Sequence, residues 1–345
     1  MARILLTGGS GFFGGILKHT LLRAGHSVVN FDLIADADTH PNLLSVQGDL
    51  RDPAAVNSIF EQQQFDGVAH IAAMLAHGSD VSAADVWESN ATGTRNLAEA
   101  AQRHGIRSFV FTSTNCLWAK NFHRPVREDD APEPIEIYGR SKHEAENILH
   151  DFPALNPVII RCPTIIEEGR LGLLAILFEF IQEGRKVWMV GDGGNHYQFI
   201  YAPDLAEACI RGLALGQPAL LNIGSDNVKS LRQVYQAVID RAGTGARIAA
   251  LPKAPALAAM RLAHVLHISP LGPYHYKMIA EDFSFDTTRI KQTLGWRPTL
   301  TNEGMLLRAY EYYAKNRAEI DARTNVSAHS KPAEMGVIRL LKWIS

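Results

Sequence analysis

The apolar run Ile4-Leu5-Leu6-Thr7 leads straight into Gly8-Gly9-Ser10-Gly11-Phe12-Phe13-Gly14. A strand that breaks into glycines and resumes as a helix is the pattern of a dinucleotide-binding turn. One glycine permits the tight turn, one lets the backbone approach a pyrophosphate, and one lets the helix pack close to the strand. The first helical turn then offers free N–H groups and the positive end of its dipole to phosphate. Gly8, Gly11, Phe12, Phe13 and Gly14 are therefore candidate cofactor contacts. Residues 16–24 read as helix, Gly25 as its end, and residues 27–31 as a second strand. Asp32 closes that strand at the spacing, about 20 residues on, where an acid holds ribose hydroxyls. Leu33 follows it, and no nearby Arg or Lys in the sequence would neutralise a ribose phosphate, which favours NAD over NADP. The alternative is that Asp32 only caps a loop.

At 345 residues the chain is long enough for one large α/β unit or two merged domains. A hydrophobic content of 46% supplies a core, and a net charge of −2 gives no electrostatic case for nucleic acid as the main partner. Cys116, Cys162 and Cys209 are scattered without metal-ligand spacing, which fits a reduced, cytoplasmic setting. The first residues enter a strand directly, so no signal peptide is expected. No apolar run approaches the ~20 residues of a membrane span.

Strand-like runs at residues 43–46, 68–72, 108–112 and 158–161 alternate with helical stretches at 54–60, 86–104 and 141–150. This rhythm predicts a Rossmann-type doubly wound parallel sheet, with ligands at the carboxyl ends of its strands. Beyond Arg161 it loosens: helices are expected at 172–184, 203–215 and 230–242, with short strands at 187–190 and 221–223. The expected division is a dinucleotide-binding domain over residues 1–165, completed by parts of 195–225. A smaller mixed α/β substrate domain follows, from 166–194 and 226–318, and then a linker and tail over 319–345. In the tail, Val337, Leu340, Leu341 and Ile344 share one helical face. That face could dock on protein or, as the minor alternative, touch an anionic membrane surface.

Tyr138 and Lys142 stand four residues apart at the start of a helical pattern, so one face can carry both. A phenol titrates near ~10, too high for a base at neutral pH. A neighbouring ammonium and an oxidised nicotinamide ring would both favour its ionised form. Thr112-Ser113-Thr114 ends the preceding strand and places hydroxyls where the nicotinamide should lie.

With these motifs the chain resembles the extended short-chain dehydrogenase/reductases, the NAD-dependent epimerase/dehydratase family. Further matching segments are Gly48-Asp49-Leu50-Arg51-Asp52, His70-Ile71-Ala72-Ala73, Asn90-Ala91-Thr92-Gly93-Thr94-Arg95-Asn96, Arg161-Cys162-Pro163 and Leu294-Gly295-Trp296-Arg297-Pro298. The resemblance runs to about Tyr313. It implies that Asp49 and Leu50 meet the adenine, that Ala72 walls the cofactor site, and that Asn90 supports the active site. Ile71, Ala73, Thr112 and Pro163 join the cofactor contacts. It makes Thr114 the hydroxyl that bonds the reacting oxygen, Tyr138 the acid/base, and Lys142 the residue that binds the nicotinamide ribose and lowers the tyrosine pKa. It also implies homodimers joined through helices near residues 84–104 and 138–150.

Two departures narrow the substrate. Sugar 4,6-dehydratases of this family carry an Asp-Glu pair after the catalytic Thr, and Asn115-Cys116 stand here, without the carboxyl groups elimination needs. Nucleotide-sugar epimerases usually clamp the diphosphate with an Arg at the position of Tyr197, which cannot make a bidentate charged contact. Lys277 either compensates or is a solvated lysine. Thr114, Thr164, Tyr197 and Lys277 are thus the candidate substrate contacts. Cys116 reads as packing rather than as a nucleophile, and His70 and His77 lack further metal ligands, so no metal is expected. The leading expectation is an NAD-dependent oxidoreductase or epimerase acting on a sugar hydroxyl, that of a nucleotide-sugar first, through a keto intermediate. The alternatives are a one-way dehydrogenase/reductase of a less polar alcohol or ketone, as in the steroid and dihydroflavonol branches, and a silent NAD-sensing protein.

Overall fold

The computed structural model describes residues 1–75, 81–118, 122–266 and 273–321. His77 and the tail beyond residue 321 lie outside the described residues, as does the side chain of Lys277. The first half winds as β1 (Arg3–Thr7), α1 (Phe12–Arg23), β2 (Ser27–Asp32), β3 (Leu43–Gln47), α2 (Pro53–Gln62) and β4 (Gly67–His70). It continues through α3 (Ala83–Trp87), a π turn (Glu88–Thr92), α4 (Gly93–Arg103), β5 (Phe109–Thr114), α5 (Ile137–His150) and β6 (Pro157–Cys162).

Local chemistry sets several of these boundaries. Asp52 caps α2 by accepting from Ala54 N at 2.9 Å, with Pro53 as its first residue. Ser82 and Asp85 form a reciprocal capping box on α3. The expected single helix at 86–104 is interrupted by the π turn, whose wider backbone no side-chain period announces. The expected strand at 68–72 stops at His70. Beyond it Ile71 N bonds Thr7 O at 3.2 Å and Ala72 N turns to the Thr7 hydroxyl at 3.4 Å. Helix α5 begins four residues before the expected Ser141, placing Tyr138 in its first turn.

The second half adds β7 (Thr164–Ile166), α6 (Leu173–Gln182), β8 (Lys186–Val190), β9 (Phe199–Tyr201), α7 (Ala202–Leu213), β10 (Ala219–Asn222) and α8 (Leu231–Ala242). It closes with β11 (Arg247–Leu251), α9 (Lys253–Val265), α10 (Pro273–Ala280), α11 (Thr288–Leu294) and α12 (Asn302–Asp321). Seven parallel strands form the main sheet in the order β3-β2-β1-β4-β5-β6-β10. The pairs β7·β9 and β8·β11 are separate two-stranded sheets. Strands of three residues are too short to show a period, so β7 and β9 were not legible in the sequence.

Alternation along the main strands sends side chains to two layers. Ile4, Leu6 and Ile160 pack with α1, α7 and Trp296, whereas Leu5, Val29, Phe109 and Phe111 pack with α2, α4 and α5. Trp296 is buried, and its indole donates to Asp204 O at 2.8 Å, tying the carboxyl-terminal motif to α7. A third cluster gathers α6, α8 and α12 around Phe178, Phe283 and Tyr310. Helix α12 runs to Asp321, into the expected linker that starts at residue 319, with a non-helical residue at Asn316. Among the described residues no helix is long and apolar enough to cross a membrane.

Helix α5 is fastened to β6 by a buried ion pair. Arg161 meets Glu146 at 2.6 Å with side-chain exposures of 4% and 2%. Removing one partner strands the other charge in the core. Glu146→Leu should therefore cost about 3–5 kcal/mol in urea unfolding, and adding Arg161→Met should recover most of that loss. A single variant as stable as the parent would show that the pair does not hold α5.

Candidate active site

The glycine turn closes on itself and against the segment after β4. Gly8 has a left-handed φ of +80°, and a Cβ there would meet the backbone of Ala72 at 2.7 Å. A side chain at Gly14 would collide with the Gly8 carbonyl, which already accepts from Gly11 N at 3.1 Å. Gly11 is the N-cap of α1; it offers no side-chain cap, and no acidic residue stands in the first turn. The turn thus presents backbone donors in a cradle only glycine leaves open, which fits the diphosphate of a dinucleotide. Phe13 is buried in the core, so only its backbone is available to such a ligand, while Phe12 is half-buried.

Asp32 sits at the end of β2, one carboxylate oxygen accepting from Ser10 N at 2.9 Å and the other from Ile34 N at 3.0 Å. Asn30 accepts from Gly9 N at 2.9 Å, a support for the turn that the motif does not reveal. One lysine of α1 reaches the loop that follows β2. Lys18 is 1% exposed and lies 2.6 Å from both Asp36 and Asp38, which consume its charge. Leu33 is exposed and its carbonyl accepts from Gln47. Asp49 forms a bidentate pair with Arg51, with contacts down to 2.7 Å, and this hydrogen bonding holds its carboxyl below the usual range. Leu50 is buried with the α4 layer.

Tyr138 and Lys142 leave α5 on the same side. Gly139 brings the start of this helix against the Cys116 carbonyl, where any side chain would clash. The phenol of Tyr138 lies near Thr114, the last residue of β5. Burial raises the Tyr138 pKa above that of a free phenol, and the Thr114 hydroxyl pulls the other way. Lys142 is 2% exposed, and its ammonium lies 3.8 Å from the centre of the Phe111 ring. Burial lowers its pKa to about 7, opposed by Cys162 and Glu146.

A buried polar chain joins this helix to the glycine turn's strand. Asn90, on the π turn, accepts from Met74 N at 2.7 Å and donates to Met74 O at 2.9 Å and Ser141 Oγ at 3.0 Å. Ser141 donates to Tyr138 O at 2.8 Å. Thr94 donates to Asn90 O at 2.6 Å and so accepts from His70 Nε2 at 2.9 Å. His70 Nδ1 then accepts from the Thr7 hydroxyl at 2.7 Å. Burial, and next the Lys142 charge, hold the His70 pKa well below its ordinary value, so the ring is neutral.

The remaining candidates are placed as follows. Ile71 and Ala72 are half-buried beside the turn and Ala73 is exposed. Thr112 and Pro163 are buried at the ends of β5 and β6, and the Thr164 hydroxyl lies 3.9 Å from Met278 sulfur. Tyr197 departs from expectation: it is 1% exposed, packed against Phe199 and Phe283, and its hydroxyl accepts from Asn115 Nδ2 at 2.7 Å. It braces the residue after Thr114 from within the core instead of lining an open cleft. Cys162 donates to Ser113 O at 3.1 Å, and burial pushes its thiol up to about 12. No group of three metal-binding side chains occurs among the described residues. Glu146 and Ser141 were missed in the sequence, although Glu146 continues the four-residue spacing of Tyr138 and Lys142.

The chain matches the NAD dependent epimerase/dehydratase family over residues 4–224 and belongs to it. It is an NAD-dependent enzyme of the extended short-chain dehydrogenase/reductase type. It is 35% identical over 344 residues to the uncharacterized protein y4nG of Sinorhizobium fredii (strain NBRC 101917 / NGR234), spanning 98% of this chain and 85% of that one. It is 25% identical to the UDP-glucose 4-epimerase of Mycolicibacterium smegmatis, over 92% of this chain and 100% of that protein. Among solved structures, the UDP-glucose 4-epimerase of Thermotoga maritima with UDP-glucose superposes with a TM-score of 0.75 at 23% identity, covering 91% of this chain and 99% of the other.

The Lys142 shift has a measurable sign. The native amine gives up its proton near pH 7, whereas the unfolded side chain keeps it to about 10.5. Between those values the unfolded state binds more protons, so this group makes stability rise with pH, by up to about 1.4 kcal/mol per unit. Above pH 9 the Cys162 thiol opposes it, since the native thiol stays protonated to about 12. Urea unfolding of cofactor-stripped protein between pH 7 and 9 should therefore show a steeper rise than Lys142→Met. Equal slopes would mean that the buried amine stays charged.

Proposed function

We propose that this enzyme is a sugar epimerase, acting on a nucleotide-sugar hydroxyl through a keto intermediate. The observation that carries this reading is that Tyr138 and Lys142 share one face at the start of α5, with Thr114 at the end of β5 near enough to the phenol to favour its ionised form. Relatives named as nucleotide-sugar 4-epimerases support the substrate class. The main sheet and its glycine turn would hold NAD through Gly8, Gly11, Gly14 and Asp32, and the second half of the chain would hold the sugar.

When bound, the oxidised cofactor supplies a hydride-accepting ring and a local positive charge. Tyr138 takes the proton of the reacting hydroxyl and later returns it, while Thr114 orients that oxygen. Lys142, four residues on along the same helix face, would favour the ionised phenol when its amine is charged. Asn90 and Ser141 hold the first turn of α5, so the phenol stays where Thr114 meets it. Asn115 and Cys116, in place of an acid pair, argue against elimination of water.

Tyr138→Phe should lower turnover about 10²–10⁴-fold with NAD binding nearly unchanged, and Thr114→Val should lose less. Parental turnover in Tyr138→Phe would remove Tyr138 from the acid/base role. With UDP-sugar epimers as substrates, deuterium on the reacting carbon should be retained in the product without net NADH release. Steady accumulation of NADH would instead support the second reading, a one-way dehydrogenase, which the buried Tyr197 at the usual Arg position favours. Calorimetric titration should find NADH bound more tightly than NADPH, because Asp32 repels a ribose phosphate and Lys18 is already paired. Equal affinities would overturn that role of Asp32.

A further inference from the structure

Between β7 and α6 the chain makes a turn, Glu167-Glu168-Gly169-Arg170-Leu171-Gly172. Two left-handed glycines set its shape, Gly169 at φ +78° and Gly172 at φ +51°. Arg170 N donates to Glu167 O at 3.0 Å, and Leu171, 1% exposed, accepts from Leu174 N at 3.0 Å. The backbone that carries Arg170 is therefore held on both sides. Its half-buried side chain reaches out of this turn to the glycine turn, with the guanidinium carbon 5.8 Å from the centre of the Phe12 ring. Phe12 is the first residue of α1, directly after Gly11. The same positive charge is felt at the Tyr138 phenol, where it counteracts the effect of burial.

Arg170 thus stands near two landmarks at once, the start of α1 and the candidate acid/base. A cation beside a helix N-terminus faces the positive end of the dipole, the opposite of the arrangement that stabilises a helix. An anion lying between them could bond the helix N–H groups and the guanidinium at once. The planar fork of Arg suits paired phosphate oxygens, and Tyr197 cannot provide such a contact from inside the core.

We propose that Arg170 is a diphosphate-binding residue, closing over the glycine turn from the second half of the chain. Two sources share this chemistry, the pyrophosphate of the dinucleotide and the diphosphate of a nucleotide-sugar. The second rests on the nucleotide-sugar reading, the first does not.

The test uses the full chain with Arg170→Met and Arg170→Lys, titrated calorimetrically with NADH and, separately, with UDP. Loss of a charge-assisted contact should weaken one ligand about 10- to 100-fold in Arg170→Met, with partial recovery in Arg170→Lys and an unchanged melting temperature without ligand. Weakened NADH with UDP unaffected assigns the contact to the dinucleotide; weakened UDP with NADH unaffected assigns it to the substrate. If the parent protein binds no UDP, the nucleotide-sugar reading fails, and a loss of NADH affinity still supports the residue's role. Unchanged affinities for every ligand the parent binds would overturn the proposal. So would a joint fall in affinities and melting temperature that lysine does not relieve, since that pattern marks a packing role.

Discussion

Opposite charges buried between α5 and β6, on Glu146 and Arg161, hold the helix on which the candidate chemistry rests. Arg161 uses its whole guanidinium: three contacts to Glu146, one to Glu128 O at 3.0 Å, and a position 5.0 Å over the Trp118 ring. Glu128 in turn accepts from Asn222 N on β10 at 3.0 Å. Taking these ions out of water costs several kcal/mol each, and only such dense pairing offsets it. The result is directional. Glu146, Lys142 and Tyr138 lie on successive turns of one helix face, so fixing the first fixes the rotation of the other two.

Neutral groups hold the first turn of α5. The chain from Thr7 through His70, Thr94, Asn90 and Ser141 to the Tyr138 carbonyl spans from β1, which carries the glycine turn, to the helix that carries the phenol. Every side chain in it has its partners, and a buried network of this kind is rigid only when every member is satisfied. The π turn is what aims Asn90 at both Met74 and Ser141. Such turns often mark functional sites, because the extra residue re-aims a side chain that a regular helix would point elsewhere.

Burial acts on the two ionisable groups in opposite directions. It raises the phenol and lowers the amine, so each favours its neutral form in the free protein. A positively charged ligand ring beside Tyr138 would favour the ionised phenol, and the closely placed Thr114 hydroxyl already does so. The site is thus arranged so that its acid/base strength depends on what is bound in it.

The glycine turn, the strand and helix rhythm of residues 1–162, Asp32 at the end of β2, and the shared face of Tyr138 and Lys142 were legible in the sequence. All of these are local patterns: periods of two or 3.6 residues, or spacings within one turn. The family resemblance was legible for the same reason, since its motifs are short and contiguous. What the sequence could not show were pairings across long separations. Nothing local pairs Lys18 with Asp36 and Asp38 until the fold brings them onto it, and Tyr197 reads as a substrate contact until Asn115, 82 positions earlier, takes its hydroxyl. The π turn, the Glu146–Arg161 pair and the reach of Arg170 to Phe12 likewise depend on which elements pack together. Residue types and periods determine which elements form and which faces they bury. Which buried charges meet, and which side chains are left facing the site, is decided by tertiary packing, because a Coulombic or hydrogen-bonded contact depends on distance in space.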